Sequence, residues 1–361
     1  MLTMLQTKDR VISFPHMGDY WIPFKSLMEV LDCRIIIPPP ITKKTLELGI
    51  KHSPEFVCIP FKYNIGNYIE SLEKGANFLV QAGGGCRFGY YAEVQKTILD
   101  DLGYDYEFYQ IAENLNVLKI FKDFKIINPK LSKYQITMAL LRTFKKLKVL
   151  DELDGIIRKR IGFEKRDGEL EKIKKIFLIK LDKAKTFKEI SNAKKETLNE
   201  IYAVELEKPK HLLRVGVVGE LYVLMEPFSN FFIEKTLGKM GIEVHRHVTV
   251  SSILNESFFH NRYTNKFKKY AEPYLKYHIG AHGTESVGRA NKMVKEGFDG
   301  VIHLKPFGCM PEINAMSAMY KIAKTNKFPI VFFSFDSQTS ETGLKTRLEA
   351  FYDMILMKKN V

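Results

Sequence analysis

Short apolar runs alternate with segments of helical periodicity along the first third of the chain. Val11-Ile-Ser-Phe14, Arg34-Ile-Ile-Ile37, Phe56-Val-Cys-Ile59, Phe78-Leu-Val80 and Tyr106–Gln110 read as strands. Prolines follow the first three at Pro15, Pro38–Pro40 and Pro60, where a residue without an N–H ends a ladder. Between these runs, 21–31, 42–52, 64–74 and 90–102 have helical spacing, with Asp19 placed to cap the first. The alternation returns at His211. Strands are expected at Leu213–Val218, Glu243–Thr249, Gly300–Leu304 and Pro329–Phe335. Helices are expected at 226–240, at 266–278, from Ser286 to Glu296, at 312–324 and at 342–358. Strands separated by helices of this length predict α/β halves with parallel sheets.

Between the halves the strand signal fades. Ile136, Leu140, Leu141, Phe144 and Leu147 share a helical stripe, as do Ile173, Ile176, Phe177, Ile179 and Leu181, so two to four helices are expected. Charge marks the same segment. Residues 116–210 hold 25 Lys+Arg against 14 Asp+Glu, a surplus of 11 out of the chain's +14. We divide the chain into a first α/β domain (1–115), a Lys-rich helical insert (116–210) and a second α/β domain (211–361).

Composition bounds the function classes. At 361 residues the chain exceeds one ordinary core, and 45% apolar with 27% charged residues is globular. No run is long and apolar enough to cross a bilayer, so no membrane association is expected. The first ten residues lack a basic stretch followed by an apolar one, so no signal peptide is expected. A cytoplasmic location follows, with the four cysteines as thiols, ligands or catalytic groups rather than disulfides.

Cys58, Cys86 and Cys309 are each expected at or just beyond the carboxyl end of a strand, where open α/β sheets bind ligands. Three thiols so placed are expected to converge on one cleft. Structural zinc sites use four ligands and local Cys-x-x-Cys spacing, and neither is present. A [4Fe–4S] cluster takes one cysteine per iron, so three would leave one iron open. Gly83-Gly-Gly85, just before Cys86, lets the backbone approach a ligand closely. A nucleophilic thiol, a phosphate turn and three unconnected core thiols remain as alternatives on the residues alone.

Several motifs add to this. Phe14-Pro-His-Met-Gly18, Ile37-Pro-Pro-Pro40, Ser53-Pro-Glu-Phe-Val-Cys-Ile-Pro60, Gly84-Gly-Cys-Arg-Phe-Gly-Tyr-Tyr91, Val218-Gly-Glu220, Glu226-Pro227, Gly283-Thr-Glu-Ser-Val-Gly288 and Phe307-Gly-Cys-Met-Pro-Glu312 resemble the 2-hydroxyacyl-CoA dehydratase superfamily. Within it they are most similar to the branch of acyl-CoA dehydratase activase-related proteins. The likeness covers nearly the whole chain outside the Lys-rich segment.

The resemblance implies two flavodoxin-like (Rossmann-like) α/β domains with a helical region, and one [4Fe–4S] cubane held by Cys58, Cys86 and Cys309. Gly84, Gly85, Arg87 and Lys62 are then cofactor-binding candidates, through N–H groups or positive charge beside the cluster. It also implies low-potential electron transfer from an ATP-dependent activase or reductase, an acyl-CoA or small-molecule substrate, and a homo- or heteromeric dimer. A lyase of the dehydratase type, an ATP-dependent reductase component and a non-catalytic cluster carrier all stay open. So does a single cubane against one half of a bridged pair. No Gly-x-x-x-x-Gly-Lys-Ser/Thr loop occurs, so no ATP site is expected in this chain. Cys33 lies outside the motifs and reads as packing.

His16, His282 and Glu285 are candidate proton donors near strand ends or helix starts, with polar loop residues as the competing reading. Glu220 and Glu226 could join them or act only as partners of helix N-termini. The loop from Phe335 to Gly343 could line the cleft or cap a helix, and His245 and His247 share one strand face. The Lys-rich segment could contact nucleic acid, but its interspersed acids favour a solvated face or a docking surface for an acidic partner.

Overall fold

The computed structural model describes residues 9–82, 86–111, 117–258 and 263–359, with backbone alone at 87, 88, 117, 256–258 and 263–266. It divides into two compact units, one of 1–149 with 180–191 and the other of 150–179 with 192–361. Each holds a four-stranded, all-parallel sheet. The α/β reading with two flavodoxin-like units is therefore the architecture found.

In the first unit β1 (Val11–Ser13), β2 (Arg34–Ile35), β3 (Phe78–Ala82) and β4 (Glu107–Ile111) lie in the order β2-β1-β3-β4. Their crossovers are α1 (Trp21–Met28), α2 (Lys43–His52), α3 (Ile59–Glu73) and α4 (Tyr91–Asp101). α5 (Val117–Ile127) and the start of α6 (Lys133–Arg160) follow. Parallel strands are buried on both faces, so their apolar residues feed two cores. Phe78 and Val80 of β3 point into one, with Ile12, Met28, Ile120 and Phe124. Leu79, of opposite parity, points into the other with Phe61, Ile65, Tyr68 and Leu99. Cys33 packs at the edge of the first core, its Sγ donating to the Leu31 carbonyl at 3.5 Å, and burial pushes its thiol pKa up.

The second unit repeats the strand order. β5 (Leu213–Gly219), β6 (Ile242–Arg246), β7 (Gly300–Pro306) and β8 (Ile330–Phe335) lie as β6-β5-β7-β8. Here the helices are α9 (Leu221–Met225), α10 (Ile233–Lys239), α11 (Val250–Phe258), α12 (Tyr263–Ala271), α13 (Gly283–Lys295), α14 (Met310–Thr325) and α15 (Glu341–Lys359). Val218, Val301, Val287, Ala290, Met293, Ala315 and Met319 pack in one core of this unit. The segment between the halves forms the rest of α6, α7 (Glu169–Lys183) and α8 (Phe187–Ala203), and the two compact units share its residues. Among the described residues no helix is long and apolar enough to cross a membrane.

Local readings fail in several places, the cap expected of Asp19 among them, since the N-cap of α1 is Tyr20 without a side-chain cap bond. Residues 56–59 form no strand: Cys58 is the extended N-cap of α3, and Pro60 is its second helical residue. Proline lacks a donor that the first helical turn does not need, so the residue read as a strand stop is a helix start. Pro311 does the same in α14, which begins at Met310 rather than 312. The helix expected at 226–240 is a short 3-10 turn (Pro227–Asn230) followed by α10, with Phe231 and Phe232 both at positive φ between them, and α9 forms just before it where no helix is expected. The helix expected at 266–278 ends at Ala271.

Candidate functional site

Both sheets reverse strand order beside their first strand, between β1 and β3 and between β5 and β7. In open α/β sheets this switch point, at the carboxyl ends, is where a crevice opens. Cys86 follows β3 and Cys309 follows β7, so the two thiols occupy the same topological position in their respective units. Each also precedes a helix. Cys309 is the extended N-cap of α14, and the Cys86 carbonyl accepts the Gly89 N–H (3.0 Å) at the head of the 3-10 turn Arg87–Tyr90 that runs into α4.

Cys58 lies at the start of a helix rather than at the end of a strand, correcting its expected placement. As N-cap of α3 it lies beside the N-terminal N–H groups of that helix, and its Sγ is hydrogen-bonded to Tyr91 Oη. Tyr91 is the first residue of α4, five residues beyond Cys86, so one hydrogen bond joins the two cysteine segments of the first unit. Cys309 belongs to the second unit. The residues flanking all three cysteines, Phe56, Tyr90, Phe307 and Met310, are large, apolar and exposed.

The other first-unit candidates divide. Gly84 and Gly85 lie outside the described residues, as does the Arg87 side chain. Lys62 is buried one turn after Cys58 on α3. His16 is also buried, and its backbone N–H donates to Asn67 Oδ1 at 2.9 Å. Asn67 Nδ2 in turn donates to the Pro39 carbonyl at 2.8 Å. One side chain of α3 thus ties down the loops that follow β1 and β2.

The second unit carries a buried acid–base group that sequence reasoning found only in part. His303, fully buried on β7, donates from Nε2 to Glu312 Oε2 at 2.7 Å. Ser286 Oγ on α13 donates to Glu312 Oε1 at 3.1 Å. With both carboxylate oxygens accepting, His303 carries its proton on Nε2, and Nδ1 has no hydrogen-bond partner among the described residues. Glu312 lies three residues into α14, so this pair of bonds clamps the helix whose N-cap is Cys309 to β7 and α13. The α13 and α14 starts are in close contact, for a Cβ on Gly283 would lie 2.6 Å from the Pro311 carbonyl oxygen. His282 occupies the N-cap position of α13 without a side-chain capping bond, and burial lowers its pKa against the opposing pull of Glu285. Glu285 is buried, with Oε2 unpartnered among the described residues. Lys305 is buried at the end of β7, and burial lowers its pKa.

Glu220 and Glu226 take the capping role. Glu220 accepts the Tyr222 and Val223 N–H groups at 3.0 Å, and Glu226 accepts the Phe228 N–H at 3.1 Å. In the Phe335–Gly343 loop, Asp336 Oδ1 accepts the Gln338 N–H at 2.9 Å, a local turn. His245 and His247 do share a face, where both rings pack on Phe298 and His245 Nε2 bonds Glu243 Oε1 at 2.8 Å. Among the described residues no group of three or more His, Cys, Asp or Glu side chains is arranged to hold a metal ion.

Burial pushes the Glu220 pKa up to about 7, outweighing its two amide donors, with Glu312 adding to the rise. The folded state therefore holds a proton that the unfolded chain releases near 4.5. This stability is full below that value and is lost as pH rises through about 7. We expect the wild type to lose about 3 kcal/mol across that interval relative to Glu220→Gln, which keeps a capping oxygen but no charge. Urea melts of both proteins at a series of pH values measure the difference. Parallel curves would exclude the retained proton.

Neither protein-family models nor curated proteins give a match to this chain.

Proposed function

We propose that the chain is a [4Fe–4S] protein acting in ATP-coupled, low-potential electron transfer to an acyl-CoA or another small molecule, with Cys58, Cys86 and Cys309 as the ligands. The observation that carries this reading is positional. Cys86 and Cys309 follow the equivalent strands of two sheets of identical order, each at the start of a helix. Cys58 caps a third helix and is linked to the Cys86 segment through Tyr91. Helix N-termini offer N–H groups and positive potential that favour thiolate over thiol, so the donor set fits an anionic cluster. The motif resemblance supports the same assignment.

When bound, such a cluster supplies one-electron chemistry at low potential. The chain's own residues then have separate tasks. The thiolates bind, the clamped Glu312 holds the Cys309 helix in one orientation, and the exposed apolar residues beside the cysteines are suited to excluding water when a partner docks. Glu220 and His282 hold or accept protons in the second unit. Such half-buried proton holders beside the buried His303–Glu312 pair favour a catalytic role over a simple cluster carrier. The ATP-dependent step falls to a separate activase or reductase, the working form is a dimer, and the compartment is the cytoplasm.

Purification under strict exclusion of oxygen tests the reading. About four irons per chain are expected, with matching sulfide. Cys86→Ser should lose the iron, whereas Cys33→Ser, in a core edge, should keep it. An iron-free wild type would overturn the proposal. If iron is present but neither turnover nor a spectral change follows addition of reduced activase and a 2-hydroxyacyl-CoA, the protein is a cluster carrier.

A further inference from the structure

The Lys-rich segment holds a surface feature that the cluster reading does not use. α5 is apolar on two sides. Ile120, Phe124 and Ile127 face the core of the first unit. On the other side Leu118 and Ile126 are exposed, eight residues apart and so on one face of the helix. With Phe121 they line a groove of about 420 Å³, whose remaining lining residues are Lys122, Lys125 and Lys133. Tyr134 and Leu141, seven residues apart on α6, are also exposed.

The lysines decide what fits. Elsewhere in this segment lysines are taken up by nearby acids, as in Lys174–Asp154 (2.8 Å), Lys185–Glu29 (2.6 Å) and Lys194–Glu152 (2.6 Å). Lys122, Lys125 and Lys133 form no ion pair among the described residues. An apolar floor calls for apolar side chains at helical spacing, and a cationic rim without ion pairs among the described residues calls for acids between them. An apolar floor edged by lysines suits the apolar ridge and flanking acids of an amphipathic helix.

We propose that the α5 groove docks an acidic amphipathic helix of a partner protein, its apolar residues seated on Leu118, Phe121 and Ile126 and its carboxylates paired with Lys122, Lys125 and Lys133. This surface is independent of the cysteines, so it stands or falls apart from the cluster.

The probe is a fluorescein-labelled synthetic peptide of about 16 residues, with leucine at i, i+3, i+4 and i+7 spacing and glutamate elsewhere. It is titrated with the full-length protein and followed by anisotropy. Binding is expected to weaken by about tenfold or more in Lys122→Glu/Lys125→Glu and in Leu118→Gln. Thermal melts of both variants should match the wild type, because neither substitution touches the core. A matched peptide with lysine for glutamate should not bind. Three results would each overturn the proposal: no binding of the acidic peptide, equal binding to wild type and charge-reversed protein, or sedimentation of the protein with phosphatidylglycerol vesicles that the peptide fails to compete.

Discussion

Asp154→Ala is expected to destabilise the second unit by about 3–5 kcal/mol, the size usual for breaking a buried ionic network from one side. Asp154 Oδ1 accepts from Lys174 Nζ at 2.8 Å, and Oδ2 accepts from Arg246 at 3.1 Å and from Arg158. The two guanidinium side chains are only 5% and 6% exposed. Arg158 Nε also donates to Glu234 Oε2 at 2.7 Å, and Arg246 lies 3.4 Å from Glu234 Oε1. Two carboxylates thus serve three cations drawn from α6, α7 and β6. Removing Asp154 takes a carboxylate from all three cations, and the two guanidinium groups have little access to water.

Burial alone would raise the Asp154 pKa. Lys174, Arg158 and Arg246 together outweigh it and hold the carboxyl far below the usual carboxylate range. The sign of the linkage follows. The stabilisation is full above the ordinary value of 3.8 and fades only as pH falls below it, since a depressed pKa means that the unfolded state takes up the proton first. Guanidinium melts should therefore show a wide gap between wild type and Asp154→Ala at neutral pH, narrowing in acid. Adding Arg246→Met to Asp154→Ala should recover part of the loss by removing a buried cation that has lost one of its two carboxylates. Coincident melting curves at neutral pH would show that the network contributes nothing.

This network also marks a limit of sequence reading. The amphipathic stripes of the Lys-rich segment were legible, and so was its charge surplus. Which acid meets which lysine was not, because Arg246 and Asp154 are 92 residues apart and Lys25 meets Asp182 across 157. Periodicity reports the face of an element, not the element it will face. The buried strands Phe78–Val80 and Gly300–Leu304 were plain for the opposite reason, since a parallel strand covered on both sides is apolar on both. Pro60 was misread because proline ends strands and begins helices, and only the three-dimensional setting distinguishes the two. The His303–Glu312–Ser286 group left a partial signal. A histidine within Val301-Ile-His-Leu304 is a polar residue in a strand buried on both faces, and such a residue needs a partner. That its partner would be Glu312, three residues after a cysteine helix cap, could not be read from spacing.

The same substitution should have opposite effects at two glycines. Gly66 lies inside α3, where a Cβ would meet the Thr45 carbonyl oxygen at 1.9 Å; a Cβ on Gly49 of α2 would meet the Lys62 carbonyl oxygen at 1.9 Å. The two helices touch backbone to backbone, and neither atom can rotate away as a side chain would. Gly66→Ala must therefore push α3 off α2, at a cost of about 3 kcal/mol or more. Gly155, inside α6, has nothing nearer to a new Cβ than Arg158 Nη1 at 3.9 Å. There alanine fits and lowers the backbone entropy of the unfolded chain, so Gly155→Ala should stabilise by about 0.5–1 kcal/mol. Helix propensity alone would favour alanine at both sites, which makes the sign at Gly66 the informative measurement. The displacement also has a chemical consequence. α3 carries Cys58 at its N-cap, and Asn67, next to Gly66, holds the loops after β1 and β2 through His16 and Pro39. Moving α3 should loosen the Cys58–Tyr91 contact, so Cys58 in Gly66→Ala is expected to react faster with iodoacetamide than in the wild type, read by peptide mass spectrometry. An unchanged melt together with an unchanged alkylation rate would mean that α3 does not depend on its close seat against α2.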